Sequence, residues 1–104
     1  MKRVAFKMTL KPGCATKYEE RHKVLWPELV TLLKNSGISE YSIFLDKETH
    51  TLFAYQKIDG EKGSQDLAAE KIIQKWWKHM ADIMETNDDH SPVTKPLKEV
   101  FYLK

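Results

Sequence analysis

ISEYSIFLDKETHTLFAYQKI, residues 38–58, contains two β-rich runs, Ile38 to Asp46 and Thr51 to Ile58, joined by the polar connector Asp46-Lys47-Glu48-Thr49-His50. That connector has hairpin length. Along both runs bulky apolar groups occur on either side of the period-two alternation: Tyr41, Ile43 and Leu45 against Phe44, then Leu52, Ala54 and Ile58 against Phe53 and Tyr55. A sheet face left in water should read polar. The hairpin is therefore expected in a sheet covered on both faces, with something packed on the second face.

Before the hairpin, RVAFKMTL at residues 3–10 alternates Val4, Phe6, Met8 and Leu10 with Arg3, Lys7 and Thr9, which predicts a first strand. Lys11-Pro12-Gly13 is a turn signal. Ala15, Tyr18, His22, Leu25, Leu29, Leu32 and Leu33 then recur at helical spacing until Ser36-Gly37 supplies a stop. Pro27 interrupts that pattern, and a proline removes a backbone donor and clashes with the preceding turn. A break is expected near Leu25-Trp26, with Pro27 opening a second helical piece.

After the hairpin, Leu67, Ile72, Ile73, Trp76, Met80, Ile83 and Met84 trace an apolar stripe that predicts a second long helix. Asn87 to Pro96 reads as a polar loop, and Leu97 to Leu103 alternates again as a final strand. The order βαββαβ is the split arrangement of the α+β ferredoxin-like fold, with both helical layers on one face of an antiparallel sheet. Residues 1–104 are expected to form one such domain, pairing sheet against sheet as a two-fold homodimer.

Composition limits the function. With 41% hydrophobic and 31% charged residues the chain reads as globular. Its 17 basic and 15 acidic residues leave no positive stripe for a row of phosphates, so nucleic acid is not an expected partner. Neither a secretory h-region nor a membrane span can be drawn, and Cys14 is the only cysteine, so the expected address is a reducing cytoplasm.

Four sets of residues could carry chemistry. Tyr18 and His22, four apart on a helix, point in nearly the same direction and can share one ligand. Histidine exchanges protons near neutral pH without strong tuning, although a packed or half-exposed ring is equally served by this spacing. Trp76-Trp77 diverge by about 100° on a helix, so one indole can join the core while the other reaches a cavity; both as core filler is the plainer reading. Tyr41 can present a phenol at the sheet end or simply pack, and Trp26 can be a third wall or a staple. His50, His79 and His90 with Asp82, Asp88 and Asp89 form no recognised ligand pair, so no metal is expected. His79 and Asp82 read as an exposed i,i+3 pair, and the run Lys17, Glu19, Glu20, Arg21 and Lys23 as a solvated helix side.

Taken in order, YEERH (18–22), WPEL (26–29), YSIFLD (41–46), QKWWKHM (74–80), SPV (91–93) and EVFYL (99–103) resemble the L-rhamnose mutarotase family over essentially the whole chain. The resemblance implies a dimeric α+β barrel of ferredoxin-like subunits and an isomerase that interconverts the anomers of L-rhamnose in the cytoplasm. It places His22 at the proton-donor position and Tyr18, Tyr41, Trp76 and Trp77 at sugar-contacting positions. Anomer exchange opens and recloses a pyranose by proton transfers alone, so no cofactor is expected. Whether His79 or His90 lines the pocket is left open. The same fold also hosts cofactor-independent monooxygenases, and a sugar-binding module without catalysis is the alternative from another class.

Overall fold

In the computed structural model, which describes residues 1–104, the chain runs β1 (Lys2–Thr9), α1 (Ala15–Lys23), α2 (Pro27–Asn35), β2 (Ile38–Asp46), β3 (Thr51–Ile58), a 3-10 turn (Ser64–Asp66), α3 (Lys71–Met80) and β4 (Lys95–Leu97). The four strands form one antiparallel sheet in the order β2-β3-β1-β4, the ferredoxin-like arrangement expected from the element order. β1 and β3 lie at its centre, in register from Lys2 opposite Ile58 to Thr9 opposite Thr51. No helix is long and apolar enough to cross a membrane.

Proline and glycine divide the first crossover where their backbone preferences require. Trp26, the residue before Pro27, is extended at ψ 129°, as proline demands of its predecessor, and Pro27 opens α2. At the far end Gly37 takes φ 83° and donates its N–H to the Lys34 carbonyl at 3.1 Å, closing α2. Its own carbonyl accepts from Asp59 N–H at 2.9 Å, joining the start of β2 to the end of β3.

Packing follows the period-two pattern. Phe6, Met8, Leu52, Ala54 and Ile58 are buried on one sheet face beneath Leu29, Ile73, Trp76, Trp77 and Met80 of the helices. The opposite face carries two rows across the strands: Phe44, Phe53, Lys7 and Lys95, then Ser42, Tyr55, Ala5 and Leu97. Phe44 is 68% exposed and Phe53 41%, so an apolar patch faces outward.

Two expected elements are shorter. The stripe from Leu67 to Met84 is helical only over Lys71–Met80. Beyond it the backbone turns to the sheet: Met84 bridges Leu10, Lys11 N–H reaches the Ile83 carbonyl at 2.9 Å, and Glu85 N–H reaches Thr9 at 3.0 Å. Ile83 and Met84 stay buried through those bonds rather than through a helix face. The final strand lies at Lys95–Leu97, not Leu97 to Leu103. Its ladder with β1 stops at Leu97 opposite Ala5. Past that point Glu99 is drawn aside by a two-pronged bond to Arg3, with both contacts at 2.9 Å, and the Tyr102 ring sits 3.5 Å from the Arg3 guanidinium carbon.

Gly37→Ala tests the α2–β2 junction. A Cβ there would lie 2.9 Å from Asp59 Cβ, on a backbone that L side chains rarely adopt. Denaturant unfolding is expected to show a loss of about 1–3 kcal/mol with an unchanged m-value; a stability equal to the parent's would contradict this reading of the junction.

Candidate active site

Tyr41 owes its direction to an irregularity in β2. Ser39 pairs with Lys57 and Ser42 with Tyr55, so Glu40 and Tyr41 together oppose the single residue Gln56. Glu40 is the extra residue: it takes φ 47°, and its carboxylate meets Lys57 Nζ at 2.6 Å. The bulge shifts the parity of the strand, so that Ile38 and Tyr41, three apart, both face the helices. Without it Glu40 would point into the apolar layer.

His22 is set by its own helix. Its Nδ1 lies 2.8 Å from the Tyr18 carbonyl oxygen, so Nδ1 carries the hydrogen and donates it, leaving Nε2 as the nitrogen with a free lone pair. The imidazole stacks on the Tyr18 ring at 4.3 Å and meets Trp76 edge-on at 5.4 Å. Burial among these rings lowers its pKa from 6.5, and the hydrogen bond to Tyr18 opposes that only in part. The ring therefore rests neutral near pH 7.

A cavity of about 790 Å³ opens between the helices and the β2 side of the sheet, within the usual size range of small-molecule sites. Tyr18, His22, Tyr41, Trp76 and Trp77 all line it, so residues far apart in the chain converge on one space. Apolar side chains make up most of the wall. Burial pushes the Tyr18 phenol far above its usual value and raises that of Tyr41, so both phenols keep their hydrogens.

The other candidates lie elsewhere. Trp26 packs on Trp76 at 5.2 Å and on His79 at 5.4 Å, stapling the α1–α2 junction to α3. Neither His79 nor His90 lines the cavity. Asp82 does not pair with His79. It is held by Arg21 through bonds of 2.8 and 3.1 Å, and Arg21 also donates to the His79 carbonyl at 2.8 Å. Arg21 is thus no idle member of a solvated run: it clamps α1, one residue before His22, to the end of α3. Its pull holds the Asp82 carboxyl down at about 2.

Sequence reasoning missed Ser64 and Gln65, which also line the cavity, and Gln56 behind them. Gln56 is fully buried and bonds Ser64 twice, at 2.9 Å from its amide nitrogen and 2.8 Å to its amide oxygen. A signal existed in the pattern. Leu52, Ala54, Gln56 and Ile58 share one face of β3, and a lone amide in an apolar row needs a polar partner.

The family model described as L-rhamnose mutarotase matches residues 3–103. The chain is 61% identical over 103 residues to an L-rhamnose mutarotase of Bacteroides thetaiotaomicron, covering 99% of each chain. It is also 61% identical over 104 residues to one of Formosa agariphila, covering 100% of each. The crystal structure of an L-rhamnose mutarotase from Formosa agariphila superposes with a TM-score of 0.94 at 57% identity, over 100% of both chains. Matched along nearly its whole length in sequence and in backbone, this chain belongs to the L-rhamnose mutarotase family.

Proposed function

We propose that this chain is an isomerase that interconverts the α and β anomers of L-rhamnose, with His22 as proton donor and Tyr18, Tyr41, Trp76 and Trp77 holding the sugar. The observation that carries this reading is the convergence of the His22 ring and the Trp76 indole, 5.4 Å apart, on one cavity with room for a monosaccharide. Family membership supplies the substrate. The apolar wall suits the methyl group and C–H faces of a deoxy sugar, and the phenols suit its oxygens.

The chemistry needs one proton moved between two oxygens on the same carbon. The anomeric hydroxyl loses its proton as the bond from C1 to the ring oxygen breaks, giving an open-chain aldehyde and a hydroxyl. Closure on the other face of the aldehyde reverses the steps. Both oxygens are attached to C1, so both lie within reach of one imidazole nitrogen. His22 rests neutral, takes the proton at Nε2 and delivers it to the ring oxygen, with Nδ1–H held on the Tyr18 carbonyl throughout. Lowering the pKa of the imidazole makes the imidazolium a stronger donor while keeping the neutral form populated at rest.

Residues 1–104 act as one domain in this reading, and two copies pair through the open sheet face. The outward patch around Phe44 and Phe53 supports the pairing. The cytoplasm is the proposed compartment, supported by the single unpaired cysteine.

Saturation-transfer NMR on equilibrated L-rhamnose tests the activity. Wild type is expected to exchange the anomeric protons faster than buffer, and His22→Ala to lose about 10² to 10⁴ of the enzyme-dependent rate. The neutral imidazole starts the reaction, so kcat/KM should be level near pH 7 and fall as pH drops through a pKa below 6.5. Full activity in His22→Ala, or a rate that climbs on acidification, would refute the assignment. Sedimentation of wild type at micromolar concentration is expected to give a dimer, and a stable monomer would remove the sheet-to-sheet pairing.

A further inference from the structure

Gln56, behind the cavity, and Ser64 and Gln65, which line it, have no part in the proton transfer, and their hydrogen bonds run in one direction. The direction begins at a group with no choice. Ser64 backbone N–H can only donate, and it does so to Gln56 Oε1 at 2.8 Å. That contact fixes which end of the Gln56 amide is oxygen. Gln56 Nε2 must then be the group that faces Ser64 Oγ, to which it donates at 2.9 Å. Gln65 Nε2 donates to the same oxygen at 3.2 Å.

A serine hydroxyl has two acceptor sites and one hydrogen. In the structure Gln65 as well as Gln56 turns an N–H to Ser64 Oγ, and Ser64 in turn donates its hydrogen to Tyr41 Oη, 3.3 Å away. Tyr41 receives a hydrogen from behind, and its own O–H is left to point forward into the cavity. Gly63 belongs to the same device: a Cβ there would sit 2.7 Å from Gln56 Oε1 and displace it. The hydrogen bond from Ser64 also acts on the Tyr41 phenol, opposing part of the rise that burial causes.

We propose that Gln56, Ser64 and Gln65 are positioning residues that fix the Tyr41 phenol as a hydrogen-bond donor, so that this side of the site reads a lone pair on a sugar oxygen. The inference rests on the reading of the cavity as an L-rhamnose site. It divides the polar work: His22 Nε2 offers a lone pair and Tyr41 offers a hydrogen. A sugar whose oxygen at the Tyr41 position is absent, or is committed to accepting elsewhere, is discriminated against there, because a buried phenol hydrogen is left without a partner.

Gln56→Glu reverses the relay with almost no change of shape. An ionised carboxylate only accepts, so Ser64 Oγ–H turns to the introduced carboxylate, and the Tyr41 hydrogen is drawn back to Ser64 and out of the cavity. A protonated carboxyl can still donate to Ser64, so the reversal appears as pH rises and the buried acid ionises, over a range of about pH 5 to 9. KM for L-rhamnose should rise about threefold to tenfold across that range, with a smaller change in kcat and no such trend in wild type. Tyr41→Phe should show a loss of similar size at every pH, and Gln56→Glu on top of Tyr41→Phe should add nothing to it. Where Gln56→Glu fails to fold by circular dichroism, Ser64→Ala serves instead: it keeps the backbone N–H on Gln56, should weaken binding in the same direction, and should likewise have no effect on top of Tyr41→Phe. A folded Gln56→Glu or Ser64→Ala with wild-type KM throughout, or an equal loss with and without the Tyr41 hydroxyl, overturns the proposal. Wild type that neither binds nor exchanges L-rhamnose overturns the sugar reading itself, and this inference with it.

Discussion

Trp76 joins α1, the α1–α2 junction and α3 at the edge of the site. Its indole meets the His22 ring edge-on at 5.4 Å, the Trp26 ring at 5.2 Å and the His79 ring at 5.6 Å. Its neighbours on the buried stripe of α3, Ile73, Trp77 and Met80, lie over the sheet. A buried tryptophan removes about 150–250 Å² from water and holds its neighbours at preferred ring geometries. That one side chain therefore sets how α1 and the α1–α2 junction stand against α3, while its neighbours on the stripe seat α3 on the sheet. The cavity is the space the indoles do not fill, bounded on the far side by the re-aimed Tyr41.

The same packing sets the chemistry. Rings around His22 take water away from it, which penalises the charged form, and the Tyr18 carbonyl fixes which nitrogen carries the hydrogen. Desolvation and tautomer point the same way, toward a neutral imidazole with its Nε2 lone pair available. Arg21 adds rigidity from outside: by gripping Asp82 and the His79 carbonyl it holds the last turn of α1 against the end of α3. In the role proposed for His22, a proton moved between two oxygens of one carbon needs little else than a group held at the right distance, and these aromatic and ionic contacts hold the ring in place.

Much of this was legible in the residues. The two strands of the hairpin appear at the bounds their β-rich runs gave, and Pro27 breaks the first crossover where its missing N–H requires. His22, Tyr18, Tyr41 and the tryptophan pair converge on one space, although spacing alone left each of them free to be simple packing. What was not legible depended on tertiary partners. The apolar stripe past Met80 looked helical because Ile83 and Met84 continue the spacing, yet their backbone bonds go to Lys11 and Leu10. The alternation in Leu97 to Leu103 mimicked a strand, and Arg3 drew Glu99 away instead. The β2 bulge left a trace, since Ile38 and Tyr41 have opposite parity but equal reason to be buried. Gln56 left another, as one amide in an apolar row.

The state of His22 is the claim on which the account stands, and its ring nitrogens report it directly. Long-range proton–nitrogen correlation spectra of labelled protein near pH 7 should show a neutral imidazole, with Nδ1 protonated and Nε2 carrying the lone pair, and only the Nε2 resonance should move strongly when L-rhamnose is added. A charged ring, the opposite tautomer, or an Nε2 signal indifferent to the sugar would contradict it.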